Sequence, residues 1–184
     1  MIAILLNDAS FEQDIRELLM AFYPGETFTH KEEEAGEAEL IVRGVRDGNS
    51  FSLDVAPVKK EAVHFALIYP DFSNRFETKN EIKQTLYRLL SAQTGRELPW
   101  GTLTGIRPTK IALTKLYDGW TDEQIETYMR ETYFTSKEKI DLSIDVAERE
   151  RRLLSTIDYE NGYSLYVGIP FCPTTCLYCS FTSF

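Results

Sequence analysis

The chain is poor in histidine and cysteine and has no surplus of positive charge. Its 184 residues include two histidines, His30 and His64, far apart and far upstream of the three cysteines, Cys172, Cys176 and Cys179. Lysine and arginine number 20 against 29 acidic residues, which leaves a formal charge of −9 and a pI near 4.8. That balance opposes a nucleic-acid partner, because such proteins present a basic stripe that releases phosphate counterions. A polyanionic small molecule would likewise need a local basic patch. Long apolar runs are missing too. Nothing approaches the roughly 20 residues of a membrane span, and Met1 to Leu6 lacks the basic flank and length of a signal peptide. The expected compartment is therefore the cytoplasm. Charge is also absent locally: no charged residue follows Glu160, which suits a water-poor reaction site.

What is present suffices for an ordinary core, with 43% apolar and 12% aromatic residues. Ile2 to Leu6 reads as a buried strand. Asp8 or Ser10 can cap a helix carrying Ile15, Leu18, Leu19 and Phe22 and stopped at Pro24. A short strand is expected near Thr27 to His30. Lys31 to Glu39, rich in glutamate, reads as a solvated loop or, less simply, a docking surface. Leu40 to Arg46 and Phe51 to Ala56 form a hairpin signal across Asp47-Gly48-Asn49. A further strand, Val63 to Tyr69, ends at Pro70. It contains His64, which reads as a strand residue because it has no companion donor nearby.

Asn74 with Glu77, or Thr78 with Glu81, can cap a long helix with Ile82, Leu86, Leu89 and Leu90 on one side and Gly95 at its end. Four or so strands and two helices define a small α/β layer domain over residues 1–95. Pro108 fits the first turn of the next helix, which Gly119 ends. Thr121 with Gln124 caps another, Asp122 to Tyr133. Thr135 or Ser136 opens the last, to about Thr156, with Ile140, Ile144, Ala147 and Leu154 on one face. Residues 96–161 thus form a helical connector, closed by the turn signal of Asp158 to Gly162.

The cysteines are spaced C-x3-C-x2-C. Three thiolates this close can hold three irons of a 4Fe-4S cube and leave the fourth open to chemistry. A zinc site would need a fourth ligand. A disulfide fits poorly with an odd count and short spacings. Zinc, or a set of unrelated buried cysteines, stands as the alternative on the residues alone.

An aromatic before the third cysteine makes the run resemble the signature of radical S-adenosylmethionine (SAM) enzymes. Tyr166-Val167-Gly168-Ile169-Pro170-Phe171-Cys172 is similar to the oxygen-independent coproporphyrinogen III oxidase family, and Trp100-Gly101-Thr102-Leu103-Thr104-Gly105-Ile106-Arg107-Pro108-Thr109-Lys110 is similar to the upstream region of its HemZ-type, coproporphyrinogen dehydrogenase-like branch. Two positions depart from the family's best-known enzymes. Gly168 stands where they have histidine, and Phe181 where they have a further cysteine.

The resemblance implies a 4Fe-4S cluster on Cys172, Cys176 and Cys179, with SAM chelated at the open iron and split to a 5′-deoxyadenosyl radical. It places Tyr178 against the adenine and Tyr166 close to SAM, with barrel-core packing as the alternative for both. It assigns no catalytic residue. The implied substrate is a porphyrinogen, whose propionate becomes a vinyl group with loss of carbon dioxide; the electron donor is not specified. Residues 162–184 then form the first strand and cluster loop of a truncated TIM-like radical SAM barrel, following the α/β domain and connector. Strand alternation puts Ser164, Tyr166 and Gly168 on one face and Leu165, Val167 and Ile169 on the other. A whole barrel takes about 200 residues or more, so the chain reads as the front part of a longer enzyme, inactive alone. A haem-binding or haem-transfer relative and a plain iron-sulfur redox module are the alternative functions. Gly105 to Lys110, a helix start with a hydroxyl and two cations, reads as capping and domain packing or as a contact for a propionate or the SAM carboxylate.

Overall fold

The computed structural model describes residues 1–58, 63–158, 161–163, 165–168, 172 and 177. Met1–Arg149 makes one compact unit and Glu150–Phe184 a second.

The first unit is mixed α/β, as the apolar patterning requires. Five strands, β1 (Ile2–Leu6), β2 (Phe28–Thr29), β3 (Leu40–Asp47), β4 (Ser50–Pro57) and β5 (His64–Ile68), form one sheet in the order β2-β1-β3-β4-β5. β1 runs parallel to β2 and β3, and β3, β4 and β5 are antiparallel neighbours. Parallel pairing of β1 with β2 demands a crossover, supplied by α1 (Glu12–Phe22). The β3–β4 hairpin turns at Gly48, whose φ of 56° suits glycine. Strand alternation sends Leu40 and Val42 of β3 and Phe51, Leu53 and Val55 of β4 into the core. There they meet Ile15, Leu18, Leu19 and Phe22 of α1 and Ile82, Leu86 and Leu90 of α2 (Arg75–Thr94). Each such side chain contributes about 1.5–3 kcal/mol by leaving water.

The expectation of a solvated loop over Lys31 to Glu39 is corrected. Glu32–Glu37 is a 3-10 helix, and Ala35 and Ala38 bury with Ala3 on the opposite face of β1. The glutamates stay outside: Glu34 pairs with Lys31 at 2.6 Å and Glu32 with Arg43. Their charge hides two small buried residues that carry the contact.

α2 is bounded as its sequence dictates. The Asn74 side chain accepts from the Glu77 N–H at 3.3 Å, and Gly95, at φ 68°, closes the C-terminus with its N–H on the Ser91 carbonyl. Beyond it, α3 (Pro108–Tyr117), α4 (Asp122–Tyr133) and α5 (Lys137–Leu154) build a second core from Ala112, Leu116, Ile125, Met129, Ile140 and Ile144. The Tyr87 ring packs at the border of the first core, 5.3 Å from Phe22 and 5.6 Å from Phe134 between centroids. Its hydroxyl accepts from the Leu98 N–H at 2.9 Å.

α4 begins with a complete capping box: the Thr121 hydroxyl accepts from the Gln124 N–H, and the Gln124 side chain from the Thr121 N–H at 2.9 Å. Thr121→Ala removes one half of that exchange and is expected to cost about 1 kcal/mol. Thermal melting beside the parent checks it; an unchanged midpoint would show that the box adds nothing to stability.

Candidate functional site

Two stretches of the sequence pointed to function, the cysteine run and the segment from Trp100 to Lys110. The structure describes them unequally. Cys176, Cys179 and Tyr178 lie outside the described residues, as do Ser164 and Ile169. Cys172 is exposed, and Tyr166 is 91% exposed, with Leu165 and Val167 beside it also open to solvent. Leu165 to Gly168 pair with no other strand among the described residues. Alternation marks two faces, but a strand exists only through a paired neighbour.

The connector into this run turns as expected. The Asp158 carboxylate accepts from the Asn161 N–H at 3.1 Å, and the Gly162 N–H donates to the Asp158 carbonyl at 2.9 Å. At Gly168 an added Cβ would lie 3.1 Å from Cε1 of Tyr166. A side chain at 168 would ask that exposed ring to move by a few tenths of an ångström. Among the described residues no three histidine, cysteine or acidic side chains gather as a metal site. His30 instead meets Glu12 at 2.8 Å, and His64 is half-buried in β5.

The second stretch is described throughout, and its polar groups are used to dock it. The Thr102 N–H and hydroxyl both donate to the Tyr133 carbonyl, at 2.7 and 3.3 Å. Thr104 links three elements: its hydroxyl accepts from the Lys83 ammonium at 2.7 Å and donates to the Glu17 carboxylate at 3.1 Å. Glu17 also accepts from Gln13 at 2.8 Å. Lys83 is buried, and burial pushes its pKa down against the opposing pull of Asp14 and Glu17. Of the two readings of Gly105 to Lys110, these contacts support capping and packing at its beginning: Gly105 faces the Glu17 carboxylate, and Pro108 occupies the first turn of α3. The two cations of the stretch, Arg107 and Lys110, border a groove beside α3.

Sequence reasoning missed the Lys83–Thr104–Glu17 link. One signal for it existed: Lys83 falls three and seven residues before Leu86 and Leu90, on the apolar stripe of α2, where a charge requires a partner.

The chain is 36% identical over 125 residues to the oxygen-independent coproporphyrinogen-III oxidase-like protein HemZ of Bacillus subtilis (strain 168). The match takes in 66% of this chain and 25% of that protein. No protein-family profile and no solved structure matches the chain. This similarity agrees with the family resemblance read from the motifs at Trp100–Lys110 and Tyr166–Cys172. The chain spans about a quarter of the length of that curated relative. Among the described residues no helix is long and apolar enough to cross a membrane.

Proposed function

We propose that the chain is the N-terminal part of a radical SAM enzyme that decarboxylates a porphyrinogen propionate to a vinyl group. The observation that carries this reading is the C-x3-C-x2-C run itself, set in a charge-free segment, in a chain 36% identical over 125 residues to a coproporphyrinogen oxidase-like protein.

The donor set fits a 4Fe-4S cluster. Cys172, Cys176 and Cys179 would each hold one iron, three soft thiolates suit iron-sulfur ligation, and the Cys172 thiol is exposed to an incoming metal. When bound, the cluster supplies the electron that splits SAM. The chain's own residues bind and orient. Tyr178 packs its ring against the adenine, Tyr166 lies close to SAM, and the absence of charge after Glu160 keeps water from the reacting groups. In this reading residues 1–95 are an α/β domain, 96–161 a helical connector, and 162–184 the first strand and cluster loop of the barrel.

The test uses full-length protein reconstituted anaerobically with iron and sulfide, then reduced and given SAM. Tyr178→Ala is expected to lower 5′-deoxyadenosine formation by about tenfold, the loss of one aromatic packing contact of roughly 1.4 kcal/mol, while iron content holds. Equal loss of both would show that the tyrosine supports the fold and not the adenine. The reaction itself is read from coproporphyrinogen III. Vinyl product with carbon dioxide supports it, whereas tight haem binding without product would assign the protein to haem transfer.

A further inference from the structure

Away from the cysteine segment, a groove of about 330 Å³ runs beside the N-terminal half of α3. Its composition opposes that of the chain. In a protein of net charge −9, the groove is bordered by Arg107, Lys110 and Lys115 and by no acidic residue. Its apolar surface comes from Phe76, Ile106 and Ile111, of which Phe76 is 50% and Ile106 55% exposed. Large apolar side chains left this open beside cations form a surface that is apolar on one side and positive on the other.

The cations differ in their commitments. Lys115 is drawn to Asp118 at 3.7 Å and lies over the Trp120 and Tyr128 rings, 4.3 and 5.2 Å from their centroids. Lys110 makes no side-chain hydrogen bond or ion pair among the described residues. It sits in the first turn of α3, where acidic residues are absent and the unpaired N–H groups add partial positive charge. Tyr128 and Tyr133 also line the groove, and their hydroxyls stand 3.3 Å apart. Burial holds the Tyr133 phenol above its usual pKa, so it stays a neutral donor.

We infer that this groove binds a small amphipathic carboxylate, with the carboxylate on Lys110 and its neighbouring cations and an apolar body against Phe76, Ile106 and Ile111. The chemistry requires both halves. An inorganic anion would leave the apolar wall wet, and a neutral apolar molecule would leave the Lys110 ammonium uncompensated. The inference is independent of the cluster and of the reaction proposed above.

The probe is 1-pyrenebutyrate, whose flat body and single carboxylate match the two halves, titrated by fluorescence against the uncharged 1-pyrenebutanol. The acid is expected to bind at least tenfold tighter than the alcohol, and this preference should shrink as salt is raised. Lys110→Gln should weaken the acid at least fivefold and leave the alcohol unchanged, with an unaltered melting midpoint because the side chain is exposed. Ile106→Ser should weaken both. Equal affinity for acid and alcohol, or an acid affinity unmoved by Lys110→Gln, would overturn the proposal. Neither outcome touches the cysteine cluster, so failure here leaves the proposed function standing and failure there leaves the groove.

Discussion

Gly101→Ala is expected to lower the melting midpoint by about 6–12 °C. Gly101 sits at φ +57°, and a Cβ there would lie 1.9 Å from the Tyr133 carbonyl oxygen and 2.6 Å from the carbonyl carbon and oxygen of Phe134. All three are backbone atoms, so no rotamer change relieves the overlap. The same Tyr133 carbonyl accepts both bonds from Thr102, so moving it away breaks the docking of the Trp100–Thr104 segment against α4. Alanine in the left-handed region costs about 1–2 kcal/mol, and the forced backbone shift adds about 1–3 kcal/mol. Together these come to roughly 3 kcal/mol, and for a domain of this size each kcal/mol is worth about 2–4 °C. Gly119→Ala is the control. Gly119 has φ +81° with nothing within 4 Å of an added Cβ, so it should lose only the conformational part. If the two variants melted together, close approach to Tyr133 would not be what fixes this glycine.

That contrast shows where the sequence was readable. Helix ends were legible because a cap is chemistry between residues three apart: Asn74 with Glu77, Thr121 with Gln124 and Gly95 after Thr94 all stand where local pattern placed them. The hairpin across Gly48 was legible for the same reason. The strand order was not, because which edge β1 offers to β2 and which to β3 depends on residues far apart in the chain. Nor was the burial of Ala35 and Ala38, since their glutamate neighbours dominate any reading of charge. Glu17 and Thr104 lie 87 positions apart, and only the fold brings them to 3.1 Å. In the cysteine run the opposite holds. Ligand type and spacing are local and legible, whereas the expected strand needed pairing partners that alternation does not name.

The conspicuous polar residues of the Trp100–Lys110 segment divide accordingly. Thr102 and Thr104 hold the segment to α4, α2 and α1. Arg107 and Lys110 face the groove beside α3. A motif read whole from sequence is thus two neighbouring surfaces in space, one for packing and one open to a ligand.

The measurement that bears most directly on the account is the metal content of Cys176→Ala beside the parent, both full length and reconstituted anaerobically with iron and sulfide. One iron of a cube would be held by each of Cys172, Cys176 and Cys179, so each substitution removes one ligand. The parent should carry about four iron and four sulfide per chain, with the broad absorption of a 4Fe-4S cluster and an electron paramagnetic resonance signal on reduction. With two thiolates left, the variant should keep less than roughly a quarter of the iron and show no such signal. Cys172→Ala and Cys179→Ala should match it, and melting of the Met1–Arg149 unit should be unaffected. A Cys176→Ala protein that retained the parent's full iron, sulfide and absorption would contradict the assignment of the three cysteines as the cluster's ligands.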